Sequence, residues 1–192
     1  ALNSPMSFTL EDSKTAPGSF FTRTVKGCTL NSVTLTATQG EKVQIEANYL
    51  AQILAFSGGT STSTLTIPST EPYLWNHCSL VLSGTTLATA KEVSLEINNN
   101  LQGPHYLNGS RDISVPILGN RENTLRVTLD LDDQAGNLLY SLYKNNAQFN
   151  STFDMNADSS TGSLHTIIFL SGCIIKSMDV PSKNEGVVES TV

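Results

Sequence analysis

Three histidines and three cysteines are the side chains best suited to chemistry in this 192-residue chain. His77, His105 and His165 show no HxxxH or HxxE spacing, which would set two metal ligands on one helix face. His165 lies in an apolar run and is expected to be a hydrogen-bonded core or interface residue. His105 follows Gly103-Pro104 and is expected in a solvated turn. Cys28, Cys78 and Cys173 are odd in number, with spacings of 50 and 95, so they form neither a disulfide framework nor a zinc pattern. Each adjoins or lies in a β-like run, which predicts buried free thiols. No GxSxG elbow, Walker loop or GxGxxG occurs. Gly58-Gly59 lacks the Lys and the following helix of a phosphate cradle. Asp130 and Asp132 lack the Asn and Gly ladder of a calcium loop. The pair Asp132-Asp133 suits the first turn of a helix, where the macrodipole stabilises negative charge. No catalytic, metal or cofactor site is predicted.

The elements that would carry any site are mostly strands. Val43, Ile45, Ala47 and Tyr49 alternate with Lys42, Gln44, Glu46 and Asn48. Val33, Leu35 and Ala37 alternate with threonines just upstream, and Gln39-Gly40 separates the two runs. Together they predict a β-hairpin. The same period recurs in Val93, Leu95 and Ile97, and in Leu125, Val127, Leu129 and Leu131. Weaker strands are expected at 20–25, 80–82, 113–117 and 149–155, with Pro116 demoting its run to an edge or bulge. The run 164–170 is apolar on both faces, so it needs cover from its own domain or a neighbouring subunit. Ser171-Gly172 reads as a bulge that re-aims it. One helix is expected over about 133–145, capped by Asp132 or Asp133 and ended by Asn145-Asn146. Residues 51–76 read as a long loop, rich in Thr and Ser around Gly58-Gly59. A short strand is expected within it at 65–67, and it also holds Ile53, Leu54, Phe56, Tyr73, Leu74 and Trp75, which is too apolar for a solvated linker. Those side chains cover either the chain's own core or another subunit. Residues 179–192 are a final strand or an extending arm.

Composition agrees with a β-rich chain. Charged residues make up only 15 %, against a usual figure of about 25 %. Ser, Thr and Asn number 61, a mixture that favours strands and turns over a helical bundle. The formal net charge is −6, which disfavours a sequence-independent grip on nucleic acid. No apolar run is long enough to span a membrane as a helix. The first residue is Ala1 rather than Met, so a processed or truncated chain is expected. The fold class predicted is mainly β: a β-sandwich or partial barrel of antiparallel strands with one α-helix, in a single domain over 1–192.

The order of segments resembles the tail tube, or major tail, proteins of long-tailed double-stranded DNA phages and related archaeal viruses. The resemblance starts at Arg23-Thr24-Val25-Lys26-Gly27-Cys28 and continues through Leu30-Asn31-Ser32-Val33-Thr34-Leu35. Gly40-Glu41-Lys42-Val43-Gln44-Ile45-Glu46-Ala47 is similar to the partner strand of that family. A long variable loop follows, then an Ile-x-Asn-Asn-Leu-like end to 93–101, an Arg-led segment at Arg111-Asp112-Ile113, and a closing Gly186-Val187-Val188-Glu189. The resemblance covers roughly 20–192. The family carries more chain before Phe8 and finishes one strand later, so a piece is expected to be missing at each end.

The resemblance implies a virion structural protein without catalysis or cofactor. Its partners would be copies of itself, closing strands into a ring-shaped β-barrel, usually hexameric and stacked into a tube, together with other tail proteins. DNA would pass through the lumen during ejection without specific binding. A lumen of this kind should repel phosphate, which suits an acidic subunit. Acid-bearing polar strand faces nominate Glu41, Glu46, Glu92, Glu96, Asp130 and Asp132 as lumen-facing. The alternative for each is an ordinary solvent-facing carboxylate. Phe56, Leu65, Ile67, Tyr73 and Trp75 are the nominated contacts between subunits. Two other functions stay open on the sequence: a β-sandwich binding module on an extracellular or virion surface, with an aromatic platform at Tyr73 and Trp75, and a hydrolase with a scattered site.

Overall fold

A computed structural model describes residues 6–16, 19–57, 72–107, 112–130, 133–157, 164–179 and 187–191. Strand makes up 64 % of it, the sheets are antiparallel, and they do not close into a barrel within one chain. The strands are β1 (Ser7–Ala16), β2 (Ser19–Thr38), β3 (Gln44–Leu50), β4 (Ile53–Ser57), β5 (Cys78–Leu82), β6 (Thr85–Thr86), β7 (Ala90–Asn98), β8 (Glu122–Asp130), β9 (Phe149–Ala157), β10 (Leu164–Cys173), β11 (Ser177–Asp179) and β12 (Val187–Thr191). The one helix described, α1, spans Asp133–Lys144 as predicted. Its end is a Schellman motif. Asn146 adopts a left-handed φ of 46°, its N–H donates to Tyr143 O, and Ala147 N–H donates to Leu142 O.

The chain clusters into two compact units. The first comprises Ala1–Val33, Glu46–Thr70 and Ile97–Glu122, and the second Thr34–Ile45, Glu71–Glu96 and Asn123–Val192. In the first, β2 is flanked by β1 on one side and β4 on the other, both antiparallel. The two strand runs predicted at 20–25 and 33–37 are one long strand. It absorbs an irregularity where Phe8 opposes Cys28 but Leu10 opposes Val25. Gly27 sits in that bulge with φ of 64°, and a Cβ there would clash with the Gln52 side chain. A residue without a side chain suits both demands. The loop predicted from 51 onward begins instead as strand β4, which pairs with β2 from Thr22 to Lys26. The strand predicted at 113–117 does not form. Pro116 has no N–H to give a ladder, and only the Gln102–Ile117 bridge remains, with paired bonds of 3.0 and 2.9 Å.

Asparagines fasten the first unit. Asn99 Nδ2 donates to Leu30 O at 3.0 Å, and Leu101 N–H donates to Asn31 Oδ1 at 2.9 Å. Asn99 Oδ1 accepts from Arg121 Nε at 2.8 Å, while Asn100 Nδ2 donates to Asn120 O at 2.7 Å. Asn100 takes a left-handed φ of 47°, and its N–H closes an Asx turn on Asn98 Oδ1. The Asn-rich segment therefore serves as more than a turn: it joins β2, the end of β7 and the segment at 119–121. Asn99→Ala removes two of these bonds, one of them charge-assisted, and should cost about 2 kcal/mol. Chemical denaturation checks this. Arg121→Ala should lose only part of it, and a double-mutant cycle should show coupling.

In the second unit β7, β8, β12 and β11 lie in that order, with antiparallel registers between β8 and β12 and between β12 and β11. Residues 187–191 are thus a closing strand, one of the two options open from sequence. A second sheet has the order β10-β9-β5-β6. The predicted bulge is there: the β9–β10 register shifts between Leu170 and Cys173, and Gly172 has φ of 70°. Val93, Leu95, Leu125, Val127, Leu129, Leu80, Leu82, Phe153 and Met155 are all buried in this unit. Strict alternation puts them inward, as their period of two requires.

Candidate interaction surfaces

Among its described residues the first unit has almost no fully buried apolar core. Among the described residues, its one buried hydrophobic residue with near-zero exposure is Cys28. Six of its large apolar side chains, Phe8, Leu10, Phe21, Tyr49, Leu54 and Phe56, lie on the surface. The register puts Leu10 opposite Val25, Phe56 opposite Arg23 and Leu54 opposite Val25, so these share one sheet face with Phe21. Phe21 and Phe56 pack ring to ring at 5.6 Å, yet stay 48 % and 63 % exposed. Phe8 meets Tyr49 edge-on at 4.9 Å on β3, and both remain over a third exposed. An exposed ion pair, Arg23 and Asp12 at 2.9 Å, lies on the same face. Phe56, nominated from sequence, is on this face. β3 alternates as predicted, but Ile45 and Tyr49 are exposed rather than half-buried.

β10 forms the end of its sheet. Thr166, Ile168 and Leu170 oppose the buried Met155, Phe153 and Ser151. The other face presents Ile167 and Phe169, exposed by 56 % and 61 %. The apolarity read on both faces of this run is therefore met by the chain's own core on one side only. His165 is on the outer face, 2.8 Å from Asp154 Oδ1 across the strand pair. It is hydrogen-bonded, as predicted, but exposed.

The nominated acids do not form one cluster. Glu41 lies in the turn before β3 and Glu46 on β3, both exposed. Glu92 and Glu96 occupy the face of β7 opposite the buried Val93 and Leu95. Asp130 ends β8 in an ion pair with Lys91 at 2.6 Å, so its charge is partly offset. Arg126 is exposed on β8, two residues either side of which come Thr124 and Thr128. Asp132 lies outside the described residues, as do Leu65 and Ile67.

Tyr73 and Trp75 turn toward their own unit. Tyr73 O accepts from Val43 N–H at 2.9 Å, its hydroxyl meets Thr166 Oγ1 at 3.2 Å, and Trp75 N–H donates to Glu41 O at 3.0 Å. Trp75 lines a cavity of about 170 Å³ with Leu80, Val93 and Phe153. The pair therefore forms no open aromatic platform, and nothing here favours a binding module.

Reactive chemistry also lacks support in these groups. All three cysteines are free. Burial, and secondarily the charge of Asp154, push the Cys78 thiol up to about 11. Burial raises Cys173 as well. A nucleophilic cysteine needs the opposite shift. His77 Nδ1 accepts from Leu74 N–H at 3.2 Å, a local cap. Among the described residues no group of His, Cys, Asp and Glu is placed to hold a metal, and no helix is long and apolar enough to cross a membrane. What the surface offers instead is apolar strand faces. A protein-family model described as phage tail tube protein matches residues 4–192. No curated protein matches the chain.

Proposed function

Because the chain belongs to the phage tail tube protein family, we propose that its subunits close side by side into rings of six and that these rings stack into the DNA conduit of the tail. It is a structural protein of the virion tail. Its family implies an oligomer that works with other tail proteins. The observation that carries the ring is the first unit, where Phe21, Leu54, Phe56 and their neighbours are exposed where a monomer would bury them. Contiguous apolar surface of this kind marks an interaction site or an aggregation hazard. Closing strands into a ring removes both the exposed faces and the open sheet edges.

The lumen role of the acids is part of the same proposal. Glu92 and Glu96 are its best carriers, since both sit on one strand face away from the core. Glu41, Glu46 and Asp130 are further candidates, Asp130 the weaker for its pairing with Lys91. The role is mechanical and electrostatic, with no catalytic step. Negative-stain microscopy of the purified chain should show hollow rings or tubes with sixfold averages. Rings of another order would overturn the hexamer, and a monodisperse monomer at all concentrations would overturn the assembly.

A further inference from the structure

We propose that the outer face of β10 on one copy seats against the apolar face of the first unit on the next, in a head-to-tail contact repeated around the ring. This rests on the ring reading above and names the surfaces that make it. A ring with more than two members needs a heterologous contact, in which two different patches of the same subunit complement each other. The chain presents two apolar sheet faces of that kind, one in each unit: Phe21, Leu54 and Phe56 with their neighbours, and Ile167 with Phe169.

The character of β10 argues for such cover. Its sequence, LHTIIFLSGC, holds no Lys, Arg, Asp or Glu. Edge strands in isolated proteins are usually short or carry charges that deter pairing. This one is ten residues long, ends its sheet and keeps apolar side chains outward. A second copy seated on this face is the occupant that takes Ile167 and Phe169 out of water. The size also fits. Against the about 230 Å² left exposed by Ile167 and Phe169, the six large side chains of the first-unit face leave about 570 Å², taking roughly 200 Å² for a whole large side chain. That is more than half of the about 800 Å² per partner in a standard interface. The pairs Arg23–Asp12 and His165–Asp154 lie on the two faces themselves, and each is satisfied within the chain, so an apolar contact over them would not strand a lone charge.

Two variants test this: Phe56→Asp on one face, and Ile167→Asp with Phe169→Asp on the other. All three side chains are more than half exposed, so the variants should fold, and circular dichroism with a thermal melt confirms it. Size-exclusion chromatography with light scattering reads the outcome. Wild type should form rings, and each variant alone should be a monomer of 20.6 kDa. Mixed in equal amounts, the variants should give a dimer of one copy of each, because one intact face remains on each side. Rings from either variant alone, a dimer of either alone, or a mixture that stays monomeric would overturn the pairing while leaving the ring reading intact. A wild type that stays monomeric would overturn both. If a variant fails to fold, Phe56→Ser and Ile167→Thr are scored by the same criteria.

Discussion

Phe153→Ala should lower the stability of the subunit by about 3–5 kcal/mol, the usual cost of removing a buried ring. Phe153 is 2 % exposed at the middle of β9. Its cross-strand partners are Leu80 on β5 and Ile168 on β10, so it touches both neighbours of the central strand. It also lines the cavity shared with Trp75 and Val93, of about 170 Å³. Truncation would enlarge a void that is already there, and a packed sheet collapses poorly around it. For a chain of this size the melting temperature should fall by about 10 °C. Phe169→Ala is the matched control, one strand away on the opposite face and 61 % exposed. In the monomer it should cost under about 0.5 kcal/mol, as surface substitutions do. In the assembled state its effect should appear as weakened ring formation, so the two phenylalanines separate folding from association. Equal losses of monomer stability would contradict the assigned faces.

The contrast between these two rings also marks how far the sequence could be read. Alternation identified β7, β8 and the hairpin, because one buried face imposes a strict period of two. Local chemistry identified the end of α1 at Asn145-Asn146 and the bulge at Ser171-Gly172, since both depend on residues that accept positive φ. β1 was not legible. Its run SFTLEDSKTA has only Phe8 and Leu10 as large apolar residues, and pairing with β2 rather than burial makes it a strand. β4 was hidden by its neighbours, since Gly58-Gly59 and the Thr-rich tract made 51–76 look like one loop. The Asn99 network was half legible: a turn could be read, but its partners Leu30 and Arg121 are distant in sequence. The deeper limit concerns what covers an apolar face. Ile45 and Tyr49 have the pattern of a half-buried strand, yet they are exposed in the single chain. Period alone records that a face avoids water, not whether the chain itself or another copy covers it.

Charge reversal at Glu92 and Glu96 should convert the proposed conduit into one that holds DNA. Glu92→Lys with Glu96→Lys raises each subunit's formal charge by four, from −6 to −2, and the change repeats at every subunit of the tube. Both positions lie opposite the buried Val93 and Leu95, so the substitutions leave the core untouched. The fold should survive, with surface-scale effects on stability. If the face lines the lumen, the new lysines meet phosphates in a confined channel, and contact there is sequence-independent and releases counterions. DNA release from triggered virions carrying the variant should slow by more than about tenfold at low salt and recover as salt is raised, because the Debye length shrinks to about 8 Å at 0.15 M. Arg126 and the Lys91–Asp130 pair show that some positive charge is already tolerated on neighbouring positions, so the effect should need both substitutions rather than either alone. An outward-facing pair predicts a different result. Tubes would assemble, ejection would keep its wild-type rate, and the variant would bind added DNA on the outside of the tube. That outcome would assign Glu92 and Glu96 to solubility and leave Glu41 and Glu46 as the acids to test in the channel.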